Sequence, residues 1–152
     1  MRTIILTFIS LLIFVSSAFS QSTLEEVPLY NDSTVDVSIK NKIYKKDNDN
    51  FLVIVKEVYL DRPEFNNRIM KEKELFFEIK PDFTQFGQKG ESITFEDESV
   101  IVSDLNYKPV WISINDITPD DLIYGIISFA NEYTNSPDNE VEIYSPEQVF
   151  GR

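Results

Sequence analysis

The segment from Asn115 to Thr134 limits the possible folds more than any other part of the chain. At about 100° per residue, its apolar side chains fall on one side of a helix and its polar ones on the other. The apolar stripe consists of Leu122, Ile123, Ile126, Ile127, Phe129, Ala130 and Tyr133. Each large side chain of this kind stabilises a fold by about 1.5–3 kcal/mol when buried, so a sheet or other helices must cover this helix.

Several residues indicate where this helix begins. Thr118 is the predicted N-cap, because its hydroxyl can accept a hydrogen bond from a first-turn amide. Pro119 suits the first helical position, and the acidic pair Asp120 and Asp121 lies at the positive end of the helix dipole. We therefore predict a helix over about residues 118–134. Gly125 falls on its polar side, where we expect it to be tolerated without a functional reason.

The rest of the chain has the patterns of β-strands. Residues 51–60 are almost continuously apolar and β-branched, which predicts a central strand covered on both faces. The polar run KKDNDN before it predicts the turn of a hairpin. Alternating apolar and polar residues predict further short strands at 35–44, 93–95, 100–104, 110–114 and 141–144.

Residues 68–80 fit two predictions. Leu75, Phe77 and Ile79 alternate with the residues between them, which favours a strand. The same segment is rich in helix formers, so a helix is the alternative, and Pro81 ends either element. Residues 81–91 hold one proline and two glycines and are predicted to form a loop.

These elements predict an α+β fold. A mostly antiparallel sheet of about six to seven short strands packs against the amphipathic helix at 118–134. No repeat or linker divides residues 35–152, so we predict a single domain of a size that can bury a core. Residues 21–34 are polar and include Pro28, which predicts a mobile lead-in. Neither the strand order nor the oligomeric state follows from these patterns.

Residues 1–20 have the three parts of an export signal. Arg2 provides the charged start, Ile4–Val15 the apolar region, and Ala18-Phe19-Ser20 a small-x-small cleavage pattern. We predict cleavage after Ser20 and no stable membrane insertion afterwards, because the apolar run is short for a membrane span. An uncleaved anchor or a buried core segment is the alternative. The protein is accordingly predicted to be exported, to the periplasm or the exterior of a bacterium.

Composition argues against several functional classes. The chain has no histidine and no cysteine, and its formal net charge is −12. We see no nucleophile motif of the Gly-x-Ser-x-Gly or Ser-x-x-Lys type after the signal, so we predict a protein that is not an enzyme and has no cofactor. A carboxylate-based hydrolase is the remaining catalytic alternative. The acidic charge also disfavours nucleic-acid binding, which needs a basic surface.

Residues 47–50 begin like a calcium-binding loop. The first, third and fifth residues of such a loop supply oxygen ligands, and its sixth residue is a glycine. Here Phe51 falls on a ligand position and Leu52 on the glycine position. We therefore predict no metal site and a solvated hairpin tip.

Three aromatic residues are candidates for contact with a partner. Phe83 and Phe86 lie in the predicted loop, where exposed aromatic side chains would contribute strongly to binding. The competing interpretation is that both pack inward under the loop. Trp111 alternates with Val110 and Ile112 and faces away from them, so it covers the outer sheet face or marks a binding surface.

Two overlapping patterns predict glycosylation. Asn31-Asp32-Ser33 fits the Asn-x-Ser acceptor pattern, which makes Asn31 a candidate in an exported chain. Asp32-Ser33-Thr34 resembles a short bacterial O-glycosylation signal, with Ser33 as the acceptor.

The sequence as a whole predicts a small exported interaction module of the cell envelope or extracellular space. Its partner would be a protein or a surface glycan. The alternative is an exported inhibitor or immunity-like protein that blocks a basic enzyme with its acidic surface.

Overall fold

The computed structural model describes residues 25–103, 108–119, 121–145 and 149, and the predicted export signal at residues 1–20 lies outside them. The described residues form nine strands, a short 3-10 helix and one α-helix. The strands are β1 (Glu26–Asn31), β2 (Val35–Lys45), β3 (Phe51–Tyr59), β4 (Glu64–Phe65), β5 (Arg68–Ile79), β6 (Gln85–Phe95), β7 (Val100–Val102), β8 (Ile112–Ser113) and β9 (Glu142–Ile143). The 3-10 helix is Ile114–Asp116 and the α-helix, α1, is Leu122–Asn135.

The sheet is a meander in the order β1-β2-β3-β5-β6-β7, and each of these pairs is antiparallel. β4 pairs with the start of β5, β8 with the start of β6, and β9 runs parallel to the end of β2. The β4–β5 hairpin turns at Asn66 and Asn67, which have φ values of 52° and 60°. Asparagine tolerates this left-handed conformation better than most residues, so the Asn pair suits a two-residue hairpin turn.

α1 covers one face of the sheet, which we call the helix face. The core there is made by alternate residues of four strands and by the inner side of the helix. Its buried members are Val37, Ile39, Ile43, Val53, Val55, Phe77, Ile79, Phe86, Ile126, Ile127, Ala130 and Tyr133. The predicted α+β fold, with a mostly antiparallel sheet against one helix in the C-terminal half, is confirmed.

The opposite side of the sheet, the second face, has a smaller core. Leu52 and Ile54 of β3 pack there with Tyr44, Phe76 and Val149. Both faces of β3 are therefore covered, as its continuous apolar run predicts. No helix in the described part of the chain has the length and apolar character needed to cross a membrane.

α1 begins later than predicted. Asp121 is the N-cap, and its Oδ1 accepts a hydrogen bond from the backbone N–H of Ile123 at 3.0 Å. The prediction of Thr118 as the N-cap is wrong. Asp121, directly before the first turn, has the extended backbone of an N-cap and the carboxylate that accepts the capping hydrogen bond. Leu122, predicted to be buried, is exposed and lines a groove, whereas its neighbour Ile123 packs against the core.

Residues 68–79 form a strand, and ion pairs across the sheet explain why the helix alternative fails. On the second face, Glu74 pairs with Lys40 of β2, and Glu72 pairs with Lys56 of β3. These partners exist only when the segment is extended beside β3.

Two segments predicted to be irregular are strands. β6 begins at Gln85, so the predicted loop over 81–91 is wrong for most of its length, because Phe86 pairs with Ile79 and continues the sheet. Glu26–Asn31 of the predicted mobile lead-in pairs with β2, so that prediction is wrong for this part of the segment. Only Ile112–Ser113 of the predicted strand at 110–114 joins the sheet, before the chain turns into the 3-10 helix.

Candidate functional site

Phe86 and Phe83 do not form an exposed aromatic surface. Phe86 is 4% exposed and belongs to the core on the helix face, so its predicted partner contact is wrong. Phe83 is half-buried and stacks on Phe51, with ring centroids 5.6 Å apart and an angle of 15° between the rings. The turn before β6 brings Phe83 back onto the core through a hydrogen bond from its N–H to the carbonyl of Lys80. Phe83 and Phe86 both pack inward, as the competing interpretation of the sequence expects.

Trp111 lies in a segment that crosses over β6. Its half-buried ring lies 4.1 Å from the ammonium of Lys80, within the range of a cation–π contact. The crossing occurs at Gly87, where an added Cβ would lie 2.7 Å from the Cβ of Pro109 and 2.8 Å from the carbonyl oxygen of Val110. Contact between Trp111 and a partner remains a prediction.

The predicted glycosylation sites Asn31 and Ser33 are exposed at the β1–β2 turn. Asp32 orders this turn, because its Oδ1 accepts hydrogen bonds from Thr34 N and Oγ1 at 2.6 and 2.7 Å. The hydroxyl of Tyr30 donates to Oδ2 at 2.7 Å. The hydrogen bonds from Thr34 and Tyr30 hold the pKa of Asp32 well below its usual range. Both acceptors are accessible, and their modification remains a prediction.

The hairpin tip at 46–50 is anchored to the sheet, so the prediction of a solvated tip is wrong for the residues that contact Glu78. Glu78 is 2% exposed and Asn50 is 3% exposed. The carboxylate of Glu78 accepts hydrogen bonds from Lys46 Nζ at 3.0 Å, Asn48 Nδ2 at 3.0 Å and Asn50 Nδ2 at 2.5 Å. Burial alone would raise the pKa of Glu78, but these donors and the lysine charge lower it. Within the described residues, no cluster of three or more His, Cys, Asp or Glu side chains is suited to hold a metal ion.

Sequence reasoning missed a groove of about 580 Å³ between β1 and α1. Tyr30 and Tyr124 are 51% and 40% exposed there. The groove is lined by Leu29, Tyr30, Pro119, Asp121, Leu122, Tyr124, Gly125 and Ser128. The available signal was the presence of tyrosines on the polar side of the helix and at the end of the apparent lead-in. These tyrosines indicate a shared groove only when β1 is seen to lie beside the helix.

Gly125 leaves space in this groove. A Cβ added to Gly125 would lie 3.7 Å from Cδ2 of Leu29, which is an ordinary van der Waals distance. The backbone therefore does not require glycine at this position. Its lack of a side chain keeps the groove open between β1 and the helix.

The polar groups of the groove suit binding. Asp121 supplies the single carboxylate among the described lining residues, and Ser128 adds a hydroxyl. The hydrogen bond to Asp32 and the charge of that carboxylate raise the pKa of Tyr30, so its phenol stays neutral. The groove thus combines two exposed aromatic faces with one negative charge.

Charge is distributed unevenly over the molecule. Most lysines and arginines of the sheet lie in ion pairs: Lys40–Glu74, Lys42–Glu142, Lys45–Asp49, Lys46–Glu78, Lys56–Glu26, Lys56–Glu72, Arg62–Glu96, Arg68–Asp97, Lys71–Glu98 and Lys73–Glu91. Residues 109–151 contain no lysine or arginine. The acidic residues of this stretch are Asp116, Asp120, Asp121, Glu132, Asp138, Glu140, Glu142 and Glu147.

No family model, curated protein or solved structure matches this chain.

Proposed function

We propose that this protein is a small exported, non-catalytic binding module of the cell envelope or extracellular space. Its partner docks in the groove between β1 and α1. The observation that carries this proposal is the exposure of Tyr30 and Tyr124 around a groove of about 580 Å³. Tyrosine contributes a large apolar surface and a polar tip to an interface, and it loses little conformational entropy on binding.

The lining of the groove supports binding over catalysis. Hydrolysis by paired carboxylates needs two such groups about 5–9.5 Å apart. Among the described lining residues, Asp121 is alone, and its Oδ1 already caps the helix. The chain also has no histidine or cysteine to act as a base or nucleophile.

A retention experiment tests this proposal. The exported chain is immobilised and exposed to envelope and extracellular proteins and glycans, beside the double variant Tyr30→Ala/Tyr124→Ala. The matched control is Val110→Ala/Ile143→Ala, which removes two exposed apolar side chains outside the groove. We expect the partner to be retained by the wild type and the control and lost by the groove variant. Equal retention by all three proteins would contradict the proposal.

A second candidate function is favoured by the charge distribution. Residues 109–151 carry eight acidic side chains and no lysine or arginine, which suits an exported inhibitor or immunity-like protein that covers a basic enzyme. The two functions differ in the effect on the partner. Stoichiometric loss of the retained partner's enzymatic activity would identify an inhibitor, and an unchanged partner would identify a binding module.

A further inference from the structure

We infer that the groove receives a cationic segment of a protein partner, with arginine or lysine side chains placed against Tyr30 and Tyr124. This inference rests on the proposed function, because it names the chemistry of the partner that docks in the same groove. Three features of the molecule lead to it: the charge around the groove, the aromatic faces within it and the contacts that cations already make elsewhere in the fold.

The elements that form the groove carry no positive charge. β1 has no lysine or arginine, and neither does any residue from 109 to 151. Asp121 lies in the groove lining, and Asp32 accepts a hydrogen bond from the hydroxyl of the lining residue Tyr30. The local potential is therefore negative, which attracts cations and repels acidic ligands.

The sheet does not neutralise these carboxylates. Among the described residues, neither Asp32 nor Asp121 has a lysine or arginine nitrogen within ion-pair distance. By contrast, Glu26 of β1 pairs with Lys56 at 3.2 Å, and the same lysine contacts Glu72 at 3.3 Å. The negative charge beside the groove is thus left for a partner to complement.

The aromatic lining suits a cation as well. A guanidinium or ammonium within about 6 Å of an aromatic face is attracted by the ring quadrupole. The fold already contains such pairs, since the guanidinium carbon of Arg68 lies 3.8 Å from the ring centroid of Phe95. An arginine of the partner can stack on a tyrosine and also donate hydrogen bonds to the carboxylate of Asp121.

Labelled peptides test the inference directly. Three peptides of equal length alternate serine with arginine, glutamine or glutamate, and their binding to the exported chain is measured by fluorescence anisotropy. We expect the arginine peptide to bind best, and its affinity to fall as salt rises. Amide NMR shifts should concentrate at Leu29, Tyr30 and residues 121–128. Preference for the glutamate or glutamine peptide, or shifts spread evenly over the acidic surface, would overturn the inference.

Two matched pairs of variants separate a specific site from general attraction to an acidic protein. Asp121→Asn keeps an N-capping side chain, and Asp138→Asn makes the same change in net charge outside the groove. We expect Asp121→Asn to weaken the arginine peptide about three- to fivefold, as for an exposed ion pair, and Asp138→Asn to have little effect. Tyr124→Leu should weaken it about two- to fivefold, whereas Tyr124→Phe keeps the aromatic face and the affinity. Equal effects within either pair would overturn the inference.

Failure of the inference is distinguishable from failure of the proposed function. Suppose that the natural partner is lost by Tyr30→Ala/Tyr124→Ala but retained by Asp121→Asn, and that roughly 0.5 M salt does not weaken it. The groove then binds without a cationic segment, and the inference is wrong while the function stands. A retained glycan would have the same meaning. Retention of the partner by Tyr30→Ala/Tyr124→Ala would contradict both the inference and the proposed function.

Discussion

Glu78 is a buried carboxylate whose hydrogen-bond partners all come from the turn between β2 and β3. Lys46, Asn48 and Asn50 donate to it, so it ties the hairpin tip to β5. A buried charge is tolerated only when it is paired and hydrogen-bonded. The sequence pattern of residues 75–79 predicts a strand, but it does not predict that Glu78 accepts three hydrogen bonds from the turn.

We expect the contribution of Glu78 to depend on pH. Its pKa is lowered in the folded state, so its stabilisation is fully present above the unfolded pKa of 4.5. That stabilisation is lost as the pH falls through the lower folded pKa. In urea unfolding, the free-energy difference between the wild type and Glu78→Gln should be constant at neutral pH and shrink below pH 4.5. The exposed Glu64→Gln is the control and should show no such change. A difference that grows on acidification would contradict this role.

Gly87 and Gly125 form a second matched pair at the residue scale. Gly87→Ala places a Cβ against Pro109 and the backbone of Val110, and overpacking of this kind costs about 1–3 kcal/mol. Gly125→Ala meets only an ordinary contact with Leu29 and improves helix propensity, so it should stabilise by about 0.5–1 kcal/mol. Thermal melting of both variants measures these effects, and a shift of the same sign in both would refute the distinction.

At the element scale, the position of the cap decides where α1 begins. Asp121→Ala removes the carboxylate that accepts from the N–H of Ile123, and we expect a loss of about 0.5–2 kcal/mol. Thr118→Ala changes an exposed residue outside the helix and should stay within about 0.5 kcal/mol of the wild type. Urea unfolding followed by circular dichroism measures both. A larger loss in Thr118→Ala would restore the sequence-based start of the helix.

β5 shows how neighbouring strands decide an ambiguous element. Its sequence has helix formers at many positions, and the alternation of Leu75, Phe77 and Ile79 was the competing signal. Between β3 and β6, the strand places these residues toward the helix face and places Glu72 and Glu74 beside lysines. Packing and ion pairs supplied by other strands outweigh the local helix propensity.

For the whole molecule, export is a prediction that a single measurement checks. The predicted export signal lies outside the described residues. We expect the mature chain to begin at Gln21, because Ala18 and Ser20 occupy the small-residue positions of the cleavage pattern. Mass spectrometry of the exported protein gives its N-terminus. A mature protein that retains residues 1–15 would show that this segment is an anchor.

The sequence by itself determined the elements whose signals are local. The period of the apolar stripe in α1, the continuous apolar run of β3 and the turns between strands depend on residues close together in the chain. The α+β class follows from these elements, because the helix needs a surface to cover its stripe.

The tertiary structure alone decided the features that depend on distant residues. Strand pairing made β1 from an apparent lead-in and β6 from an apparent loop, because each segment joined a neighbouring strand. The anchoring of Glu78 depends on residues 28 to 32 positions away in the sequence. The groove depends on α1 lying beside β1, so Tyr30 and Tyr124, far apart in sequence, line the same groove. No local pattern records such proximity, because it is set by the register and packing of the sheet.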